Sequence, residues 1–191
     1  MEVIVRKLGV VVGHTKKNQG AFSKTLGVAE YAWNKDLAAR IEGFAAGMTD
    51  LTVQTFFRDG VGIKGAYQAT DAFGADITVE LHFNGSDNHR ATGSAVLYYP
   101  RSTNGRRFAT LLQKEISAVL GLKNWPRGSD GVLTPFEASG KEKRGQGSLS
   151  AGRAPATLFE PFFGSNPNDA NTADKNKDRL AQAILDAALS Y

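Results

Sequence analysis

The chain has no cysteine. That excludes a disulfide framework, a thiolate nucleophile and any zinc site built on sulfur, so a metal centre here must use His, Asp or Glu. Histidine is itself scarce: His14, His82 and His89 are the only three. No apolar run approaches the ~18 residues of a membrane span, and no long uninterrupted Lys/Arg tract occurs. Membrane insertion is not expected. Leu8 to Gly13 is apolar, but it is shorter than the typical ~7–15-residue core of a secretory signal, and no small-residue cleavage site follows. The expectation is synthesis in the cytoplasm without a signal peptide, with another route to any external substrate.

What is present describes an ordinary globular domain. With 191 residues, 41% hydrophobic and 22% charged, the chain is expected to form a single domain over 1–191. Such a domain buries about 70% of its unfolded surface and needs no covalent staple. The net charge is 23 − 19 = +4, which favours an anionic partner: nucleic acid, acidic lipid or anionic wall polymer. Six basic against three acidic side chains fall within 121–155, among them Lys141, Lys143 and Arg144. A solvated basic loop is the plainest reading of that stretch, and assistance in wall binding is the functional one. A nucleic-acid module would interleave aromatics with Lys and Arg for base stacking. Here most aromatics fall in apolar strands, so no nucleic-acid partner is expected.

Hydropathy alternates between strand and helix periods. Strands are predicted over Val3 to Val12, Leu51 to Phe57, Ile77 to Phe83, Gly93 to Tyr99 and Ala156 to Phe163. In the third, Ile77, Val79, Leu81 and Phe83 fall on one face, and Thr78, Glu80 and His82 on the other. Helices are predicted over Ala29 to Ala46, Ile63 to Phe73, Asn104 to Leu120 and Asp178 to Leu189. Thr15 to Gly27 reads as a loop and Pro167 to Asn176 as a polar turn region. Pro126 to Ala154 reads as a long functional loop of uncertain structure. The implied fold class is α/β: a mixed, mostly parallel sheet flanked by helices on both faces.

Two of the three histidines, His14 and His82, stand at strand ends. In parallel α/β sheets the ligand crevice lies beyond the carboxyl ends of the strands. Two imidazoles delivered there suit a metal, and a catalytic zinc adds a third protein ligand while keeping one position open. Candidate carboxylates are Glu30, Asp59, Asp76, Glu80 and Glu160. Glu30 also reads as an acid at a helix N-terminus. Glu160 sits between Phe159 and Pro161, where a carboxylate must be paired, bound to metal or kept protonated. His89 lies in a polar turn and is expected to be exposed and dispensable.

These residues carry a resemblance. Gly13-His14, Glu30 with Asn34 one turn later, and Ala75-Asp76 running into Glu80-Leu81-His82-Phe83-Asn84-Gly85 occur in that order. Leu158-Phe159-Glu160-Pro161-Phe162-Phe163-Gly164-Ser165-Asn166 follows. The ordered set resembles the signatures of the zinc-dependent N-acetylmuramoyl-L-alanine amidases, and Arg58 resembles that family's arginine after its second strand. The resemblance implies zinc ligands at His14, Glu30 and His82 and a catalytic glutamate at Glu160. It implies peptidoglycan as substrate, cut at the amide between the lactyl group of N-acetylmuramic acid and L-alanine. Two departures stand out: Glu80 replaces the family's small polar residue two before the second histidine, and Thr15-Lys16-Lys17-Asn18 intervene before Gly20. A bare basic catalytic domain is similar to phage or prophage endolysins. The alternatives are a zinc peptidase cutting within the stem peptide and a non-catalytic basic wall-binding module.

Overall fold

Leu8, Val10, Val11 and Val12 have no solvent exposure, as expected of a near-continuous apolar run that forms a strand covered on both faces. The computed structural model describes residues 5–140 and 144–191. The first strand, β1 (Arg6–Val12), is followed by a short hairpin, β2 (Phe22–Ser23) and β3 (Val28–Ala29), and by α1 (Glu30–Ala45). Next come β4 (Leu51–Phe57), α2 (Gly62–Phe73), β5 (Ile77–Leu81), β6 (Ala95–Tyr98) and α3 (Thr103–Leu120). The chain closes with β7 (Val132–Leu133), α4 (Pro135–Ser139), α5 (Gln146–Leu149), β8 (Ala156–Glu160), α6 (Pro167–Lys175) and α7 (Lys177–Ser190).

Six strands form one sheet in the order β4-β1-β5-β8-β6-β7. β4, β1, β5 and β8 run parallel, so their carboxyl ends share one edge. β6 pairs antiparallel with β8, and β7 runs parallel to β6. The sheet is therefore mixed and mostly parallel, as the alternation of strands and helices implies. Its two faces carry separate cores. On one, Leu8, Val79 and Leu81 pack with Leu37 and Ile41 of α1, Phe108, Leu112 and Ile116 of α3, and Leu180 and Ile184 of α7. On the other, Val11, Phe56 and Leu158 meet Ala66 and Tyr67 of α2 and Leu149 of α5. Full burial of each large aliphatic or phenyl group contributes about 1.5–3 kcal/mol, so both helix layers are held by the side chains that the hydropathy pattern selects.

Three expectations are corrected. Residues 167–175 are the helix α6, not a turn region. Asn166 caps it by accepting from the amides of Asn168 and Asp169, and Pro167 starts its first turn. Its buried face consists of Ala170 and Ala173 beside Asp169, too small and polar to show as an apolar stripe. The 126–154 stretch, expected as a long loop of uncertain structure, holds β7, α4 and α5. The segment 15–27 is not all loop, because it contains β2 and the hairpin turn. The first predicted strand begins at Arg6 among the described residues. Lys141 and Lys143 lie outside the described residues.

Candidate metal centre and active site

Four parallel strands deliver their next residues to one edge: Arg58 after β4, Gly13-His14 after β1, His82 after β5, and Glu160 as the last residue of β8. Glu30, the first residue of α1, comes to the same place, because the Ala21 carbonyl accepts from its amide at 2.9 Å and ties the hairpin base to the helix start.

His14 has φ 66°, the one described non-glycine residue in the left-handed region. Such a conformation costs on the order of 1–3 kcal/mol and persists only where its surroundings enforce it. Here the Gly13 amide donates to the Leu81 carbonyl at 3.0 Å, and the Thr15 amide donates to the Asn18 carbonyl at 2.9 Å. The turned backbone places His14 Nε2 3.1 Å from Glu30 Oε2. Two glycines make room. A Cβ on Gly13 would lie 2.5 Å from His82 Cε1, and one on Gly20, at φ +75°, would lie 2.6 Å from His14 Nε2 and 2.5 Å from Glu30 Oε2.

Glu30 is buried, and each of its oxygens meets one imidazole. Oε1 lies 2.7 Å from His82 Nδ1 and accepts from the Phe83 amide at 3.1 Å. Oε2 faces His14 and accepts from the Ala21 amide at 3.0 Å. Burial pushes the Glu30 carboxyl up, but the hydrogen bonds and charges of His14 and His82 outweigh it and hold the pKa at about 2. Burial opposes a charged His82, yet Glu30 and Glu80 on either side hold its pKa well above the usual imidazole range.

His14, Glu30 and His82 each offer one donor atom, all within 4.8 Å of one another. Tetrahedral donors at ~2.1 Å from a zinc ion lie ~3.4 Å apart, so this span suits a single ion. Two imidazole nitrogens and a carboxylate also match a known catalytic-zinc donor set. Gly13 and Gly20, which leave room for the donors to converge, fit that arrangement.

Glu160 lies beside this cluster. Leu81 pairs with Phe159 across β5 and β8, so His82 and Glu160 are neighbours one residue further on. Its Oε2 is buried with no hydrogen-bond partner among the described residues. Burial, together with the charges of Glu30 and Glu80, pushes its pKa up to about 8 against the lowering effect of His82.

The remaining candidates separate cleanly. Asp59 clips the His14 loop, accepting from the Lys16 amide at 2.8 Å and from the Tyr31 hydroxyl at 2.7 Å. Asp76 accepts from the Lys7 amide at the opposite end of the sheet. His89 is exposed, with Nδ1 3.2 Å from the Ser165 carbonyl. Glu80 is fully buried beside His82, with Oε1 2.9 Å from His82 Nε2. Its other neighbours, Tyr67 and Ser148, were not singled out by sequence reasoning. They come from α2 and α5 and carry no local signal. Beneath the cluster Trp33, Phe83 and Phe162 pack together, with Phe162 4.9 Å from Trp33 and 5.0 Å from Phe83 between ring centroids.

The sequence profile of the N-acetylmuramoyl-L-alanine amidases matches residues 9–190. No curated protein matches the chain. Similar solved structures include an N-acetylmuramoyl-L-alanine amidase from Clostridium difficile 630, with TM-score 0.81 and 23% identity, covering 98% of this chain and 96% of that one. The catalytic domain of CwlV, an N-acetylmuramoyl-L-alanine amidase from Bacillus (Paenibacillus) polymyxa var. colistinus, has TM-score 0.81 and 21% identity, with 98% of each chain covered. The catalytic domain of the CD27L endolysin, which targets Clostridia difficile, has TM-score 0.76 and 26% identity, with 97% of each chain covered. Matched over nearly its whole length, the chain belongs to the N-acetylmuramoyl-L-alanine amidase family and is a peptidoglycan amidase acting on the N-acetylmuramoyl-L-alanine bond.

Proposed function

We propose that this amidase is zinc-dependent, with His14, Glu30 and His82 holding the ion and Glu160 serving as general base. Residues 1–191 then work as one catalytic domain in an endolysin-type role, opening the bacterial wall. The observation that carries the reading is the convergence of three donor atoms within 4.8 Å at the strand edge that also bears Glu160. When bound, zinc acidifies water and polarises the scissile carbonyl. The chain's own residues do the rest. Glu30 supplies negative charge between the two imidazoles and holds their orientation. Glu160 takes a proton from the attacking water and passes it to the nitrogen of the departing L-alanine. The lactyl carboxylate and a free amino terminus are the products. The endolysin role is supported by the 26% identity and near-complete overlap with the CD27L catalytic domain.

Metal analysis combined with mass spectrometry of digested peptidoglycan tests the proposal. One zinc per chain and new free L-alanine amino termini are expected, with zinc and activity both lost in His14→Ala and His82→Ala. Full zinc occupancy in both variants would reject the ligand set. Cleavage inside the stem peptide would point to a peptidase. The lytic role is checked by the fall in turbidity when the protein is added to permeabilised cells.

A further inference from the structure

Glu80 lies two residues before His82, and its surroundings are unusually complete. It has no solvent exposure. Oε1 lies 2.9 Å from His82 Nε2 and accepts from Arg58 Nη1 at 3.0 Å and from Ser148 Oγ at 3.1 Å. Oε2 accepts from the Tyr67 hydroxyl at 2.9 Å. Besides His82, these partners come from the end of β4, from α2 and from α5, so three further elements converge on one carboxylate. A buried carboxylate without such partners would be strongly unfavourable, and four of them fix its position as well as its charge.

The His82 ring is what this arrangement orients. A half-turn about its Cβ–Cγ bond would exchange Nδ1 for Cδ2 and Nε2 for Cε1, turning a carbon toward Glu30 and His14. With Nε2 held by Glu80 and Nδ1 by Glu30, only one of the two ring orientations satisfies both contacts. Gly13 closes the third side, since a Cβ there would lie 2.5 Å from His82 Cε1 and 2.6 Å from Nε2.

We infer that Glu80 is a positioning residue for the metal centre: anchored by Arg58, Tyr67 and Ser148, it accepts a hydrogen bond from His82 Nε2 and so keeps Nδ1 turned toward Glu30 and His14. The inference rests on the reading of His82 as a metal ligand. Carboxylates that fix the far nitrogen of a ligating histidine also raise its basicity, and their loss typically lowers metal affinity about 10- to 100-fold.

The test compares wild type, Glu80→Gln, Glu80→Ala and Tyr67→Phe. Zinc affinity is measured by chelator competition, and the nitrogen-15 signals of the His82 ring are recorded in the zinc-loaded protein. Glu80→Gln keeps an acceptor in nearly the same place, so the expected loss of affinity is about 10-fold, against about 100-fold for Glu80→Ala. Tyr67→Phe, which never touches His82, should shift affinity in the same direction by a smaller factor. The His82 signals should show Nε2 protonated in wild type and a mixed or altered state in Glu80→Ala. If Glu80→Ala does not fold, the graded losses in Glu80→Gln and Tyr67→Phe carry the test. Zinc affinity and His82 signals unchanged in Glu80→Gln and Tyr67→Phe would overturn the inference. Absence of zinc from the wild type would overturn the metal reading itself, and the inference with it.

Discussion

His82 and Glu160 stand side by side on adjacent parallel strands, and the His82 amide donates to the Phe159 carbonyl at 3.0 Å. This places a histidine already paired with Glu30 next to a carboxylate that has one buried oxygen without a hydrogen-bond partner among the described residues. A metal ligand and a general base respond differently to amide substitution. Glu160→Gln keeps shape and removes basicity, so zinc content should stay at the wild-type level while turnover falls at least ~10²-fold, the lower end of general acid–base contributions. Metal analysis and turnover of one purified sample check this. A folded variant with full zinc and near-normal turnover would sink the catalytic assignment.

The metal-free protein should lose stability as pH rises. The Glu160 carboxyl has a folded pKa of about 8 against 4.5 unfolded, so between those values the folded state holds a proton that the unfolded state has released. Stability from this group is present below 4.5 and declines as pH rises toward 8. His82 adds to the trend: its pKa is raised above 6.5, so its contribution is present below 6.5 and declines as pH rises through the folded value. In chelator, the drop in Tm from pH 5 to pH 8 should therefore be smaller in Glu160→Gln than in wild type. Equal drops would contradict the assignment of this pH dependence to Glu160.

Phe162 links the floor of the site to the core, with no exposure and ring contacts to both Trp33 and Phe83. Phe162→Ala should destabilise by about 3–5 kcal/mol through lost burial and the cavity left behind. Urea denaturation measures this, and a change under ~1 kcal/mol would mean that the neighbours collapse into the space.

Asp59→Ala removes the acceptor for the Lys16 amide and the Tyr31 hydroxyl. Both bonds lie near the surface, so global stability should change by no more than about 1 kcal/mol. Hydrogen exchange at the Lys16 amide should accelerate, because local opening of the 15–20 loop no longer breaks that bond. Unchanged exchange would show that the loop holds its shape without the clip.

Binding to intact wall should weaken with added salt if the basic stretch containing Lys141, Lys143 and Arg144 assists it, since salt screens attraction between charges across water over about 8 Å at physiological ionic strength. Cleavage of a small soluble muropeptide should change little. The same salt response for both substrates would remove the role of that stretch.

The candidate site was more legible in the sequence than the topology. Hydropathy placed β1, β4, β5, α1, α3 and α7 within a few residues, because β1 is a near-continuous apolar run and the others carry a repeating apolar face. The ordered motifs named His14, Glu30, His82 and Glu160, and these four meet at one strand edge. The direction of β6 was not legible, since alternation does not encode the sense of pairing. In α6 the start signals Asn166 and Pro167 were present, but alanines supply its apolar face. In α4 the capping box of Thr134 and Glu137 marks a helix too short to have a period. The cage around Glu80 draws on Arg58, Tyr67 and Ser148, up to 68 positions away, and no local window contains it.

The sheet order has a consequence for how the molecule is made. β8 lies between β5 and β6, although it is the last strand in the chain. A nascent or truncated chain ending before Ala156 would expose two bare strand edges, which invite pairing with other chains. It would also lack Glu160 entirely. Completion of the sheet and arrival of Glu160 are one event, so chains cut short of β8 should be both aggregation-prone and inert.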